Sequence, residues 1–181
     1  MNQGRIIIIT GSPGTGKTTT SAIVAKESNM EKSVHMHTDD FYHYLSKGAI
    51  PPHLPESNGQ NLIVIEAFIC AAKQYVRGGY DVIVDGIIGP WFLEPWLNIV
   101  NEGYEVHYII LRACKKETMQ RAITRSKLDR ETNIELVEAM WAQFSNLGLY
   151  EQNVIDTTGY SIQDTVSSIK KMILDKTALL R

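Results

Sequence analysis

Short apolar runs alternate along this chain with longer segments in which apolar residues recur every three or four positions. The runs are rich in β-branched residues and predict a parallel sheet whose strands are buried on both faces. The five predicted strands are Ile6–Thr10, Val34–His37, Asp81–Asp85, Val106–Leu111 and a short Asn153–Asp156. Alternating strands and helices favour an α/β fold with helices on both faces of the sheet. Ligands of such sheets bind beyond the carboxyl ends of the strands, so polar residues at those ends are the first candidates for a site.

Helix signals fill the intervals between these strands. A helix-like stretch runs from Thr18 to Ser28, and another from Leu62 to Val76 ends at two glycines, a common stop signal. The sequence Thr132-Asn133-Ile134-Glu135 matches a capping box and predicts a helix start. A second cap pattern at Ser161-Ile162-Gln163-Asp164 predicts the last helix.

The turn after the first predicted strand carries the clearest chemical signal. It reads Gly11-Ser12-Pro13-Gly14-Thr15-Gly16-Lys17-Thr18 and fits the phosphate-loop pattern G-x-x-x-x-G-K-[ST] at every fixed position. Backbone amides of such a loop, and of the helix start that follows it, bind a di- or triphosphate. We therefore predict that the nucleotide is bound by Gly11, Ser12, Pro13, Gly14, Thr15, Gly16, Lys17, Thr18 and Thr19. Lys17 is expected to reach the β- and γ-phosphates, and the Thr18 hydroxyl to join the Mg²⁺ shell.

Bulk properties narrow the class of protein. The 181 residues suit one domain spanning 1–181, and the net charge of −2 gives no electrostatic case for a nucleic-acid partner. No apolar run approaches the roughly 20 residues that cross a bilayer, so we expect no membrane partner and a soluble cytoplasmic protein. Cys70 and Cys114 lack the spacing of a zinc or redox site and are expected to be buried.

Carboxylates follow two of the predicted strands. Asp39 and Asp40 come directly after the second strand, where one of them could position an acceptor hydroxyl and take its proton. Asp39 is the first choice for this catalytic role and Asp40 the second, although the pair could instead cap the following helix. Asp85 closes the third strand and is predicted to support Mg²⁺, with capping of the turn at Gly86 as the alternative.

Basic residues gather after the fourth strand. Arg121 and Arg125 are four positions apart and share one face of a predicted helix. Guanidinium groups that close over the phosphates can neutralise charge developing in the transition state, so both are candidate catalytic residues of a lid. A solvated basic face is the alternative reading.

Two other patterns are weaker. His35 and His37 nearly complete a two-metal hydrolase signature, but its last histidine is missing, and packing on one face of a strand explains them better. The stretch Ser126-Lys127-Leu128-Asp129 has the form of a guanine-reading element, yet it follows a helical pattern instead of a strand. A GTPase is therefore not expected.

The acceptor side of the site is expected after the second strand. The Pro- and Gly-rich stretch Gly48 to Gly59 lies within Tyr42 to Asn61, the segment most suited to wall a substrate pocket. Candidate polar contacts and cleft-lining aromatic residues are His53, Asn58, Asn61, Trp91 and Trp96.

The chain as a whole resembles the small P-loop kinases, which include gluconate kinase, shikimate kinase, chloramphenicol phosphotransferase and the zeta-toxin kinases. The phosphate loop and Thr38-Asp39-Asp40-Phe41 carry this resemblance. It implies a three-layer α/β/α P-loop NTPase fold with a five-stranded parallel sheet in the order 2-3-1-4-5, a helical lid over approximately 113–131, ATP and Mg²⁺. It also implies that Val154 to Gly159 borders the adenine. Several of these kinases favour Asp39 as the base, whereas the gluconate kinase pattern favours Asp40. No acceptor-binding motif of any one kinase is present.

The combined prediction is an ATP-dependent phosphotransferase that moves the γ-phosphate of ATP to a hydroxyl of a small molecule. A nucleotide-dependent switch or ATPase without an acceptor is the alternative from a different class. A kinase of nucleic-acid ends or of a protein is the alternative among enzymes, and the weakly acidic balance opposes a nucleic-acid substrate.

Overall fold

The computed structural model describes residues 3–129 and 134–181, with side chains given for 3–124 and 134–181. Five strands form one sheet: β1 (Arg5–Thr10), β2 (Ser33–His37), β3 (Asp81–Asp85), β4 (Val106–Arg112) and β5 (Val154–Asp156). Seven helices lie in the described ranges: α1 (Lys17–Lys26), α2 (Thr38–His43), α3 (Asn58–Arg77), α4 (Glu94–Asn101), α5 (Lys115–Asp129), α6 (Ile134–Gln143) and α7 (Ile162–Leu174).

The sheet is parallel throughout, with the strand order β2-β3-β1-β4-β5. The predicted α/β/α fold and strand order are therefore confirmed. β1 is central and pairs with β3 on one side and β4 on the other, so Ile9 lies opposite Asp85 and Ile109. Because all five strands run the same way, their carboxyl ends meet at one edge, and the loops after them form one surface.

Alternate residues of β1 enter two separate cores. Ile6 and Ile8 pack with Phe68 and Trp96 of α3 and α4, while Ile7 and Ile9 pack on the opposite face of the sheet. The second core includes Val24 of α1 together with Val166, Ile169 and Ile173 of α7. This two-sided burial explains why β1 reads as an unbroken apolar run instead of an alternating one.

Some element bounds differ from the sequence expectation. α3 begins at Asn58, four residues before the predicted start, and contains Gly59. Local preference for a turn at glycine is overridden here because Val64, Ile65 and Phe68 are buried against the sheet and hold the helix. The predicted capping box before α6 lies partly outside the described residues, whereas the one before α7 is present, with the Asp164 amide donating to the Ser161 side chain.

No helix within the described ranges is both long enough and apolar enough to span a bilayer. Cys70 and Cys114 are exposed, so the prediction that both are buried is wrong. Cys70 lies on α3 but faces away from the buried side that Phe68 and Ile69 occupy, and sequence composition alone does not show that orientation.

Candidate active site

The loop between β1 and α1 has the backbone shape of a phosphate-binding loop. Gly11, Gly14 and Gly16 all have positive φ angles, of 143°, 82° and 84°. A Cβ added at Gly11 would lie 2.1 Å from the carbonyl oxygen of Leu111, and one at Gly14 would lie 3.1 Å from that of Thr118. Glycine is therefore required for the backbone angles at all three positions, and at Gly11 for the close approach of β4 as well.

Side chains inside the loop fasten it to itself. The Thr15 hydroxyl donates to the Ser12 carbonyl oxygen at 2.9 Å, and the Lys17 ammonium donates to the same oxygen at 3.0 Å. The Ser12 hydroxyl is buried and has no hydrogen-bond partner among the described residues. Buried polar groups are ordinarily paired, so this hydroxyl is suited to a ligand oxygen.

α1 begins at Lys17 directly after the loop, so its first backbone amides lack helical partners. Thr18 and Thr19 are exposed there, and the helix end favours negative charge. Together with the glycine-shaped loop and the unpaired Ser12 hydroxyl, this arrangement fits the phosphates of a nucleotide. Pro13 and Gly16 complete the predicted loop at its outer side.

Asp85 lies at the carboxyl end of β3, fully buried, and is held by three side chains. The Thr18 hydroxyl donates to Asp85 Oδ2 at 2.7 Å, while His35 Nε2 and His37 Nδ1 lie 2.8 Å and 2.9 Å from Oδ1. Burial alone would raise the pKa of this carboxyl, but the hydrogen bonds from His35 and Thr18 and the neighbouring imidazoles hold it below the usual value. Asp85 is therefore an ionised carboxylate beside the phosphate loop.

This environment fits Mg²⁺. The described residues contain no group of three or more His, Cys, Asp or Glu side chains that could hold a metal by themselves. Mg²⁺ in nucleotide sites is typically held by one or two protein oxygens together with phosphates and water. The Thr18 hydroxyl and the Asp85 carboxylate supply oxygens of that kind, adjacent to the loop.

His35 and His37 contribute more than packing. They are two residues apart on β2, so their side chains share a face, and the parallel register places His37 opposite Asp85. Sequence reasoning missed their contact with Asp85. The signal that could have found it is the period-two spacing of the histidines combined with the implied adjacency of the second and third strands.

Asp39 and Asp40 lie in the first turn of α2 and are both exposed. Asp39 Oδ2 is 3.4 Å from His37 Nε2, so one imidazole lies between Asp39 and Asp85. Burial, and then the charge of Asp39, raise the pKa of Tyr42 to about 12. No side-chain hydrogen bond caps the start of α2, whose N-cap residue is His37.

Arg121 lies next to the phosphate loop on α5. Its Cβ is 3.7 Å from the position that a Cβ on Gly14 would take, and its guanidinium pairs with Glu117 one turn earlier. Arg125 belongs to the same helix, but its side chain lies outside the described residues. Arg112, at the end of β4, forms two 2.9 Å hydrogen bonds with the Glu151 carboxylate instead of pointing to the loop.

The segment 42–61 is organised by its own hydrogen bonds. The Gln60 side chain pairs with both backbone groups of Ile50 at 2.8 Å, and Asn61 Nδ2 donates to the Pro52 carbonyl at 2.8 Å. The donor group of Asn61 is thus used within the segment, whereas His53 and Asn58 are exposed. A role for Asn61 as a donor to a substrate is therefore not supported.

The two candidate tryptophans have different environments. Trp96 is fully buried in the core beside Phe68, so it does not line a cleft. Its position on α4, directly after Pro95 and facing the sheet, decides this outcome. Trp91 is 55% exposed and contacts Phe144 with ring centroids 5.3 Å apart.

The loop after β5 contacts the base of α5. The Thr158 hydroxyl accepts from the Cys114 amide at 2.8 Å, and the Gly159 amide donates to Glu117 at 3.1 Å. Glu117 also pairs with Arg121, so this loop is connected to the helix that borders the phosphate loop. The predicted adenine-bordering segment therefore lies on the β4–β5 side of the site.

A family model described as an AAA domain, AAA_18, matches residues 7–140. A Thermococcus gammatolerans protein named "Putative adenylate kinase" is 29% identical over 171 residues, which cover 93% of this chain and 85% of that protein. The family match includes the phosphate loop and the ends of the first three strands.

Solved structures share the fold at low sequence identity. The tunicamycin resistance protein of Deinococcus radiodurans is similar with a TM-score of 0.66, 20% identity and coverage of 94% of this chain and 96% of that one. A gluconokinase from Sinorhizobium meliloti 1021 is similar with a TM-score of 0.66 and 12% identity, over 97% of this chain and 94% of that one. The APS kinase of Mycobacterium tuberculosis, in complex with AMPPNP and APS, is similar with a TM-score of 0.67 and 14% identity, over 96% of this chain and 99% of that one. The predicted resemblance to small P-loop kinases is confirmed.

Proposed function

Since the chain belongs to the AAA_18 family of P-loop domains, we propose that it is an ATP-dependent phosphotransferase that moves the γ-phosphate of ATP to a hydroxyl of a small molecule. Kinase relatives support nucleotide-dependent phosphotransfer in general. The observation that carries the proposal is the exposed Asp39 carboxylate, joined through His37 to the Asp85–Thr18 pair beside the phosphate loop. A nucleotide switch has no need of an accessible carboxylate at that place.

The phosphate loop binds and orients the triphosphate. The backbone N–H groups between Gly11 and Thr19, which Pro13 lacks, would surround the phosphates, and the Ser12 hydroxyl can donate to a phosphate oxygen. Lys17, whose ammonium donates to the Ser12 carbonyl oxygen, is proposed to contact the β- and γ-phosphates. Holding the phosphates in one orientation supplies much of the catalysis, because phosphoryl transfer depends mainly on positioning and charge stabilisation.

Thr18 and Asp85 would hold Mg²⁺ at the phosphates. A bound ion would neutralise charge that develops on the phosphates during transfer. The chain keeps Asp85 ionised and fixed through the contacts from His35 and His37, so that its second oxygen faces Thr18. Because Oδ1 contacts the histidines and Oδ2 contacts Thr18, the Asp85 carboxylate is already oriented before the nucleotide binds.

Asp39 is the proposed base and Asp40 the alternative. As the acceptor oxygen bonds to the γ-phosphorus, the bond from that phosphorus to the β–γ bridging oxygen breaks and ADP leaves. The hydroxyl proton passes to the Asp39 carboxylate. The 3.4 Å approach to His37 holds Asp39 toward the site, which favours it over Asp40.

Arg121 and Arg125 of α5 are proposed to close over the phosphates as a lid. Support comes from the closeness of Arg121 to Gly14 and from its pairing with Glu117. Release of that i,i+4 pair, worth only a few tenths of a kcal/mol on a helix surface, would free the guanidinium for a phosphate at little cost.

Nucleotide binding is the first test. Lys17→Ala should weaken ATP binding, measured by calorimetry, and abolish acceptor-dependent ADP release. Lys26→Ala, in the last turn of α1, is the matched control and should leave both unchanged. Unaltered ATP affinity and turnover in Lys17→Ala would refute the assignment of the loop.

The base is tested separately. Asp39→Asn should lower the transfer rate by about 10²-fold or more while ATP affinity is kept, because general-base catalysis contributes that much. Asp40→Asn, its neighbour in the same turn, should have a smaller effect. A larger loss in Asp40→Asn would move the role to Asp40, and no loss in either would remove it from the pair.

A further inference from the structure

Strand order separates the surroundings of the phosphate loop into two sides. β2 and β3 lie on one side of β1, and β4 and β5 on the other. Because Asp39 follows β2 and Asp85 ends β3, the acceptor belongs on the first side. We call residues 38–61 and 86–97, the segments after β2 and β3, the acceptor side.

Charges on the acceptor side are mostly negative. Its carboxylates are Asp39, Asp40, Glu56 and Glu94, whereas Lys47 is its one lysine and it has no arginine. Arginine is the residue that ordinarily recognises phosphate and carboxylate in a bidentate manner. An acceptor with an anionic group would therefore bring its charge toward Asp39 and Asp40 without a guanidinium to receive it.

Neutral polar groups on the acceptor side are largely used by the segment itself. Gln60 is occupied by the backbone of Ile50, and the Ser57 hydroxyl donates to the Leu54 carbonyl at 2.7 Å. Asn61 donates to the Pro52 carbonyl and to Ser57. These contacts shape the segment, and the neutral donors that stay exposed, on His43, His53 and Asn58, cannot offer an anion the bidentate contact of a guanidinium.

Apolar side chains are exposed on the same side. Tyr44 is 70%, Leu54 37%, Ile87 38% and Trp91 55% exposed. Ile87 is two residues from Asp85, and the next amide, that of Ile88, donates to the Thr10 hydroxyl at 2.8 Å, directly before the phosphate loop. Apolar surface beside a reaction centre is typical of sites that bind the planar or aliphatic part of a small ligand.

From this charge balance and exposed apolar surface, we infer that the acceptor carries no anionic group and has a planar or apolar part next to its reactive hydroxyl. The inference rests on the proposed phosphotransfer. It distinguishes this chain from a kinase whose acceptor is a nucleoside monophosphate or a sugar acid.

Matched acceptor pairs test the charge requirement. ADP release from ATP would be measured with adenosine against adenosine 3′-monophosphate, uridine against uridine 3′-monophosphate, and benzyl alcohol against 4-(hydroxymethyl)benzoate, so that each anionic member keeps the primary hydroxyl of its partner. In any pair that supports turnover, the uncharged member should have a kcat/KM about tenfold or more above that of its anionic counterpart. An equal or higher kcat/KM for the anionic member overturns the inference while leaving phosphotransfer standing.

Release of ADP at the same rate with and without every member of these pairs overturns both the phosphotransfer proposal and the inference. Lys17→Ala serves as the background in all assays, so that hydrolysis by a contaminant is subtracted.

A variant pair tests the apolar surface. Trp91→Ala should raise the KM for the uncharged acceptor severalfold, with kcat and ATP affinity nearly unchanged. Leu174→Ala removes an apolar side chain that is 66% exposed at the end of α7, beside Arg5 and Asp81 at the starts of β1 and β3, and should leave the acceptor KM unchanged. Equal acceptor KM values in the Trp91→Ala variant and the wild type would overturn the assignment of the apolar contact.

Discussion

Replacing His35 by leucine tests the electrostatic centre of the candidate site. The substitution places an apolar side chain of similar size at this position of β2 and removes the imidazole nitrogen that lies 2.8 Å from Asp85 Oδ1. Asp85 is fully buried, so no water replaces the lost donor readily. The remaining partners are Thr18 on Oδ2 and His37 on Oδ1.

The size of the effect follows from the charge of Asp85, which accepts the hydrogen bond from His35. A hydrogen bond to a charged group contributes about 1.5–3 kcal/mol, and His35→Leu removes one of the three that Asp85 accepts. For a chain of this size each kcal/mol corresponds to roughly 2–4 °C in Tm, so His35→Leu should lower Tm by about 3–12 °C. The pKa of Asp85 should also rise, because one of the groups that lowers it is gone.

Urea unfolding followed by tryptophan fluorescence would measure the change in the free energy of unfolding. His43→Leu is the matched control, since His43 is exposed at the end of α2. A second readout is the additional thermal stabilisation that Mg²⁺ gives in the presence of ADP, which should shrink in His35→Leu. If His35→Leu is as stable as His43→Leu and responds equally to Mg²⁺, the proposed support of Asp85 by β2 is refuted.

Three further predictions concern neighbouring features. Asp39→Asn should move the pKa of Tyr42 down from about 12, and an unchanged tyrosinate absorbance titration would contradict the influence of the Asp39 charge. Since the folded-state pKa of Tyr42 lies above the ordinary value of 10.0, wild-type stability should fall as pH rises from 10.0 toward 12. Phe68→Ala should destabilise the fold by about 3–5 kcal/mol in urea unfolding, because this ring is fully buried; a loss below about 1 kcal/mol would contradict its place in the core. Gly11→Ala should abolish ATP binding in calorimetry, because the new Cβ would lie 2.1 Å from the Leu111 carbonyl, and normal affinity would refute the loop geometry.

The arrangement around Asp85 shows where sequence reasoning reached its limit. The aspartate and the Thr18 hydroxyl were both predicted at the metal site, and they lie 2.7 Å apart. From the sequence, packing explains the histidines of β2, because their contact with Asp85 joins positions 50 and 48 residues apart. Only the pairing of β2 with β3 brings those positions together.

The two tryptophans illustrate a second limit. Trp91 and Trp96 are five residues apart, and the residue type, which is the same at both positions, does not distinguish a buried tryptophan from an exposed one. Trp96 enters the core because α4 packs one face on the sheet, whereas Trp91 precedes that helix in a short 3₁₀ segment, Pro90–Phe92, and stays exposed. The direction of each side chain is a property of the packed helix and not of the residue type.

The sequence by itself determined the phosphate loop, the five strands and the α/β class, because each is encoded in contiguous residues by glycine positions or by the period of apolar residues. Tertiary structure alone decided that two histidines face Asp85, that Asn61 serves its own segment and that Arg112 is tied to Glu151. Such contacts join distant positions, so they depend on strand neighbours and on which way each side chain points once the core is packed.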